Sequence, residues 1–168
     1  MLVRASLLAA MVASALPSVA LAQGHQAGEA FVAARVGANL VGNTYRVRQS
    51  KAVPGMGVSA GIVLSPYWAA EFEAWSRSSN PDCCKGRERL YSFSAERLYS
   101  RLGIQPYLAG GLTIVQSKVS TAHLQVQVTA GVRVPVLPRM AVDFDLRGNG
   151  GGSTMIVRPT IAAVYFFN

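Results

Sequence analysis

Eight stretches of this chain alternate apolar and polar residues with a period of two, and each is close to the roughly 9–11 residues that a tilted strand needs to cross a bilayer. The first four are Ala30–Leu40, Gly55–Leu64, Trp68–Ser78 and Arg89–Tyr99. The last four are Pro106–Gln116, His123–Val134, Met140–Arg147 and Met155–Phe167. In the sixth, Leu124, Val126, Val128, Ala130, Val132 and Val134 alternate against Gln125, Gln127, Thr129 and Arg133. The fourth departs from its own pattern, because Arg97 falls on the apolar face. Hydrophobic residues make up 51% of the 168 and charged residues only 14%. Yet no stretch beyond the opening segment approaches the roughly 20 apolar residues of a transmembrane helix. Such a chain must hide its apolar groups in a large core or against lipid.

The opening segment reads as a secretory signal peptide. Arg4 supplies the positive region, Leu7 to Leu16 the apolar region, and Ala20-Leu21-Ala22 the small-residue cleavage site. The expected organisation is therefore a signal peptide over 1–22, a short N-terminal segment over 23–29, and one β-barrel domain over 30–168. Export leads to an oxidising compartment, so the adjacent Cys83 and Cys84 are read either as a possible loop disulfide or as idle thiols.

Connections between the stretches alternate in length. Ser65-Pro66-Tyr67, Ser100 to Gln105 and Pro135 to Arg139 are short, whereas Val41 to Pro54, Asn80 to Glu88, Ser117 to Ala122 and Gly148 to Thr154 are mostly longer. Short turns at one end and longer loops at the other fit an all-β fold: an eight-stranded antiparallel up-and-down transmembrane barrel with both termini on the short-turn side. The glycine run Gly148-Asn149-Gly150-Gly151-Gly152 reads as a flexible outer loop, because a phosphate cradle would need a helix after it.

Alternation alone does not say which face is inside. Three features favour the polar face. It carries Arg35, Glu71, Glu73, Arg77, Glu96, Arg133, Asp143, Asp145, Arg147 and Arg158, an equal number of acids and arginines. A sealed interior requires such balance, and arginine is the base best suited to desolvated carboxylate pairing. Tyr67, Trp68, Tyr99, Tyr107, Tyr165 and Phe167 gather near one end, as an aromatic girdle at a membrane interface would. Gly57, Gly61, Ala69, Ala109, Gly111 and Gly131 on the polar face are expected to leave room for the arginines of a narrow barrel.

At this point the chain resembles the small OmpA/OmpX-like outer-membrane barrels over its whole mature length. The resemblance rests on Pro106-Tyr107-Leu108-Ala109-Gly110-Gly111-Leu112, on Met140 to Leu146, and on the aromatic end Tyr165-Phe166-Phe167. It implies a Gram-negative cell envelope and a location in the outer membrane. It also implies that Ile161, Ala163, Tyr165 and Phe167 form the signal read by the outer-membrane assembly machinery, with Asn168 as a departure after the final Phe. The lipid-modifying enzymes of this class place a His and a Ser two residues apart on a strand. Here Gln125 follows His123 at that spacing, so the motif is missing.

The expected function is structural or surface-interacting, with a filled charged interior and no general pore, no enzyme activity, no cofactor and no metal. Glu71 and Glu73 share a face and could act as an acid/base pair, but pairing with interior arginines is the simpler reading. The formal charge is +8, and the surplus falls outside the balanced set. Arg46, Arg48, Lys51, Lys85, Arg87 and Arg89 lie on the loop side and are candidate contacts for lipopolysaccharide phosphates. Outer-membrane lipid is the other expected partner, and export argues against nucleic acid. Two alternatives stay open: a soluble exported lipocalin-like barrel with an apolar pocket, and a lipid-A-modifying membrane enzyme.

Overall fold

The computed structural model describes residues 26–43, 52–78, 87–100, 103–117, 122–151 and 154–167. Eight strands follow in chain order: β1 (Ala30–Asn43), β2 (Ala52–Ser65), β3 (Trp68–Ser78), β4 (Arg87–Leu98), β5 (Gln105–Ser117), β6 (His123–Leu137), β7 (Met140–Gly151) and β8 (Thr154–Phe167). Each pairs antiparallel with its neighbours in sequence, and β1 pairs with β8 to close the barrel. The short turns at Pro66-Tyr67 and Pro138-Arg139 lie at the same end as the start of β1 and the end of β8, here called the terminal end. The opposite end, where residues 44–51, 79–86 and 118–121 join strands, is the loop end.

Alternation sets the faces. Val36, Met56, Val58, Leu112, Val126, Val128, Phe144 and Ile161 point outward and are exposed. Their neighbours one residue away point inward and are buried, among them Arg35, Ser59, Gln127, Thr129, Asp145 and Thr160. A one-residue slip would turn every apolar side chain to the wrong face, so the pattern itself fixes the register.

The glycine run departs from expectation. Gly148 to Gly151 continue β7, with Gly148 opposite Val128 on one side and Val157 on the other, and Asn149 buried in the lumen. Only residues 152–153 separate β7 from β8. Ladders on both sides of Gly148 to Gly150, and on the β8 side of Gly151, hold these residues extended despite their weak intrinsic strand preference, a case of tertiary pairing overriding propensity.

Two register irregularities lie at the terminal end, between Val63 and Ser65 in β2 and between Pro135 and Leu137 in β6. A third break lies within the closing seam. Gly37 pairs with Thr160 and Leu40 with Val157, so the ladder skips Ala38 and Asn39 opposite Arg158 and Pro159. Proline has no N–H to give the ladder.

Candidate functional site

The lumen is filled in layers. At the terminal end, Phe31, Ala33, Val63, Ala69, Ala141, Ala162, Val164 and Phe166 form a buried apolar plug. Gly61 makes room for it, since a Cβ there would lie 2.2 Å from Phe31 Cζ. A Cβ at Gly131 would likewise lie 2.5 Å from Tyr107 Cζ, and one at Gly55 would lie 2.7 Å from the Trp75 ring. Gly61 and Gly131 are among the small interior residues expected to admit arginines, and both admit aromatics instead. Tyr107 is a related correction: it belongs to no outer girdle but is buried inside, its hydroxyl donating to Asp145 at 3.0 Å.

Above the plug lies the charge. Arg133 of β6 donates from Nε and Nη2 to the two oxygens of Asp143, each at 2.9 Å, the forked geometry that suits guanidinium and carboxylate. A longer contact of 3.4 Å reaches Glu96. Its Nη1 has no acceptor, and aromatic rings occupy the surroundings: Phe31 and Tyr107 at 5.5 Å and Phe166 at 5.6 Å from Cζ. Desolvated cation–π contacts of this kind are worth about 2 kcal/mol.

Asp145 is the hub of the next layer. Arg35 reaches it at 2.7 Å and Glu71 at 2.6 Å. Arg147 reaches Asp145 at 3.1 Å, Glu73 at 3.2 Å and Glu71 at 3.4 Å. Arg158 closes on Glu73 at 3.0 Å, and the Thr160 hydroxyl also donates to Asp145. All ten charged residues assigned by alternation to the polar face lie inside. Glu88, which the sequence places among the loop-side charges, turns back to pair with Arg77. Five lumen arginines therefore meet six acids. The carboxyl groups of Glu71 and Glu96 lie within hydrogen-bonding reach of each other, and each has one buried oxygen without a donor.

The loop-end half is different. Trp75, Leu90, Val115 and Ile156 form a second apolar plug. Arg158 lies 4.9 Å from the Trp75 ring, and Trp75 Nε1 donates to Asn39 at 3.1 Å. Beside it runs a neutral chain: Thr113 donates to Gln127 at 2.9 Å, contacts Ser92 at 2.9 Å, and accepts from Asn149 at 2.7 Å. The two plugs were not read from the sequence. Their signal was present in the inward parity of Phe31, Phe166, Trp75 and Leu90 near strand ends.

Arg87 and Arg89 are exposed at the loop end of β4. Arg46, Arg48, Lys51, Lys85, Cys83, Cys84 and residues 1–22, expected to be a signal peptide, lie outside the described residues. His123 sits at the start of β6 with its Nε2 3.3 Å from Gln125 Nε2. Among the described residues, no group of three or more His, Cys, Asp or Glu side chains is placed to hold a metal. Ile161, Ala163, Tyr165 and Phe167 line up on the outside of β8, where the Tyr165 and Phe167 rings meet edge to face at 5.0 Å.

An apolar wall outside and charge inside is the reverse of a soluble binding barrel, so the lipocalin-like alternative fails. The chain folds as a small eight-stranded outer-membrane β-barrel. Solved structures with the same architecture include Ail, the attachment invasion locus protein of Yersinia pestis, at a TM-score of 0.65 and 14% identity, covering 84% of this chain and 100% of that one. Neisserial surface protein A has a TM-score of 0.63 at 17% identity, covering 83% and 99%. The N-terminal barrel domain of Pseudomonas aeruginosa OprF has a TM-score of 0.59 at 14% identity, covering 80% and 97%. No protein-family model matches the sequence, and no curated protein matches it. Barrels of this fold and wall belong to the outer membrane, with the terminal end on the periplasmic side.

Proposed function

We propose that the protein is a non-enzymatic barrel that gives the outer membrane a rigid, sealed element and offers a basic rim to anionic surface glycolipid. One observation carries this reading: the ion pairs centred on Asp143 and Asp145 lie between two buried apolar clusters, which favours a packed core over a channel. Function then falls to the wall and the rims. Arg87 and Arg89 stand at the loop end, and the sequence adds Arg46, Arg48, Lys51 and Lys85 to the same side. Each base near an anionic surface contributes about 1 kcal/mol, screened over a Debye length of roughly 8 Å in physiological salt. Ail, which shares the fold, has been crystallised with the heparin analogue sucrose octasulfate. That polyanion suits the same reading of a basic rim.

Charge reversal at the six basic positions tests the proposal. Binding of the purified barrel to lipopolysaccharide vesicles should weaken and lose most of its salt dependence, while heat-modifiable migration on gels persists. Identical binding of wild type and variant across a salt series would refute the role of the rim. The aromatic terminus is proposed as the handle for the assembly machinery, and removing Tyr165 to Asn168 should block insertion in cells.

A further inference from the structure

Arg97 is a cation on the lipid-facing wall. It is the next-to-last residue of β4, opposite Trp68, the first residue of β3. Its Cζ lies 5.7 Å from the Trp68 ring and 5.6 Å from the Tyr99 ring. Both rings are exposed at the terminal-end rim. No carboxylate pairs with Arg97 among the described residues. Aromatic rings engage a guanidinium through its faces and leave its in-plane N–H donors for an acceptor. A cation held this way at the rim calls for an anionic acceptor, and the phosphate of a lipid headgroup is the one a membrane supplies there.

A second observation extends the site. A groove of about 880 Å³ begins at Tyr99 and crosses the outer wall over β5, β6, β7, β8 and β1. Leu108 and Phe144 line it with large side chains, while Ala130 and Pro159 line it with small ones. The β1–β8 ladder skips Ala38 opposite Pro159, both of which line the groove. The groove starts beside Pro106, the second residue of β5, and ends at Val36, the seventh of β1, so it climbs from the rim toward the middle of the wall. Its reach across four strand spacings is about 19 Å. That is the order of length of one extended acyl chain.

We infer that this face seats one glycerophospholipid of the periplasmic leaflet, its phosphodiester on Arg97 between Trp68 and Tyr99 and one acyl chain along the groove past Ala130. This site lies at the opposite rim from the proposed glycolipid contacts and does not depend on them. Charge complementarity selects the headgroup, and continuity at Tyr99 joins headgroup and chain.

Native mass spectrometry of the full-length barrel released from detergent tests this. Phosphatidylglycerol, diacylglycerol and purified lipopolysaccharide would each be titrated in turn. Wild type should retain one phosphatidylglycerol and far less diacylglycerol. Arg97→Gln should lower phosphatidylglycerol retention about fivefold, the equivalent of about 1 kcal/mol for one basic residue near phosphate. Arg97→Lys should recover only part of it, because a lysine keeps the charge and loses the fork. Ala130→Phe should lower retention of both diacyl lipids by filling the groove, leaving the preference for phosphate intact. Equal retention of diacylglycerol and phosphatidylglycerol, or no change in Arg97→Gln, would overturn the inference. So would lipopolysaccharide displacing phosphatidylglycerol from wild type but not from Arg97→Gln, since the seat would then belong to glycolipid.

Discussion

The two halves of the lumen solve the same problem with different chemistry. The terminal-end half holds arginine–carboxylate pairs centred on Asp143 and Asp145. The loop-end half, apart from the Arg77–Glu88 pair, holds hydroxyl and amide groups around Thr113 beside the Trp75 plug. Both bury inward polar groups, and most of these find partners inside the barrel, with exceptions such as Arg133 Nη1 in the charged half and Gln125 Oε1 in the neutral half. The charged half gains directional, strong contacts, but each member is dangerous to remove alone. The neutral half gains less per contact and loses less when one is deleted. Antiparallel pairing runs through both, so the contrast lies in the side chains and the cost of desolvating them.

The sharpest way to break this comparison is Arg133→Met. It strips the fork from Asp143 and the longer contact from Glu96, and should destabilise by roughly 3–5 kcal/mol in urea unfolding from lipid vesicles. Adding Asp143→Leu should restore much of that loss. A single-mutant cost of about 1 kcal/mol would mean that the charged half is no more demanding than the neutral one. The wall sets the next scale. Val128 faces lipid and its neighbour Thr129 faces the lumen. Val128→Arg should cost roughly 2–4 kcal/mol if it sits at the bilayer midplane, and Thr129→Val much less. A reversed order would invert inside and outside.

Thr113→Val probes the neutral half. It removes a hydroxyl with three partners and should cost about 1–3 kcal/mol by the same unfolding assay. A cost matching that of Arg133→Met would erase the distinction. The smallest expected effect is Glu96→Gln, within about 1 kcal/mol. The amide supplies a donor toward Glu71 and brings the lumen to five acids against five arginines. Glu71→Gln should cost more, because Glu71 Oε1 serves both Arg35 and Arg147.

The faces of the barrel are legible in the sequence because period two maps directly onto inside and outside. Trp68, His123 and Met140 begin their strands where alternation begins. What alternation cannot carry is contact across the lumen. Arg35 on β1 meets Glu71 on β3 and Asp145 on β7, a meeting set by strand tilt and stagger rather than by any local spacing. Arg133 on β6 reaches Glu96 on β4 for the same reason. Parity also places Tyr107 inside, but its nearness to the rim suggested a girdle. The glycine run looked like a loop because composition describes a residue's freedom, and a ladder on each side removes that freedom. Arg97 broke the pattern in the sequence, and the structure sets two rings beside it: Tyr99, two residues on along the same segment, and Trp68, which strand pairing brings opposite.

The seam between β1 and β8 has a consequence in time. Ala30 lies opposite Phe167, so the ring closes only when the first and last strands of the barrel meet. Until then both strands carry an unpaired edge, and hydrocarbon offers no substitute hydrogen bonds. A partly threaded chain is therefore penalised at every stage short of completion. Insertion should be all-or-none, with the first and last strands of the barrel joined at its final step.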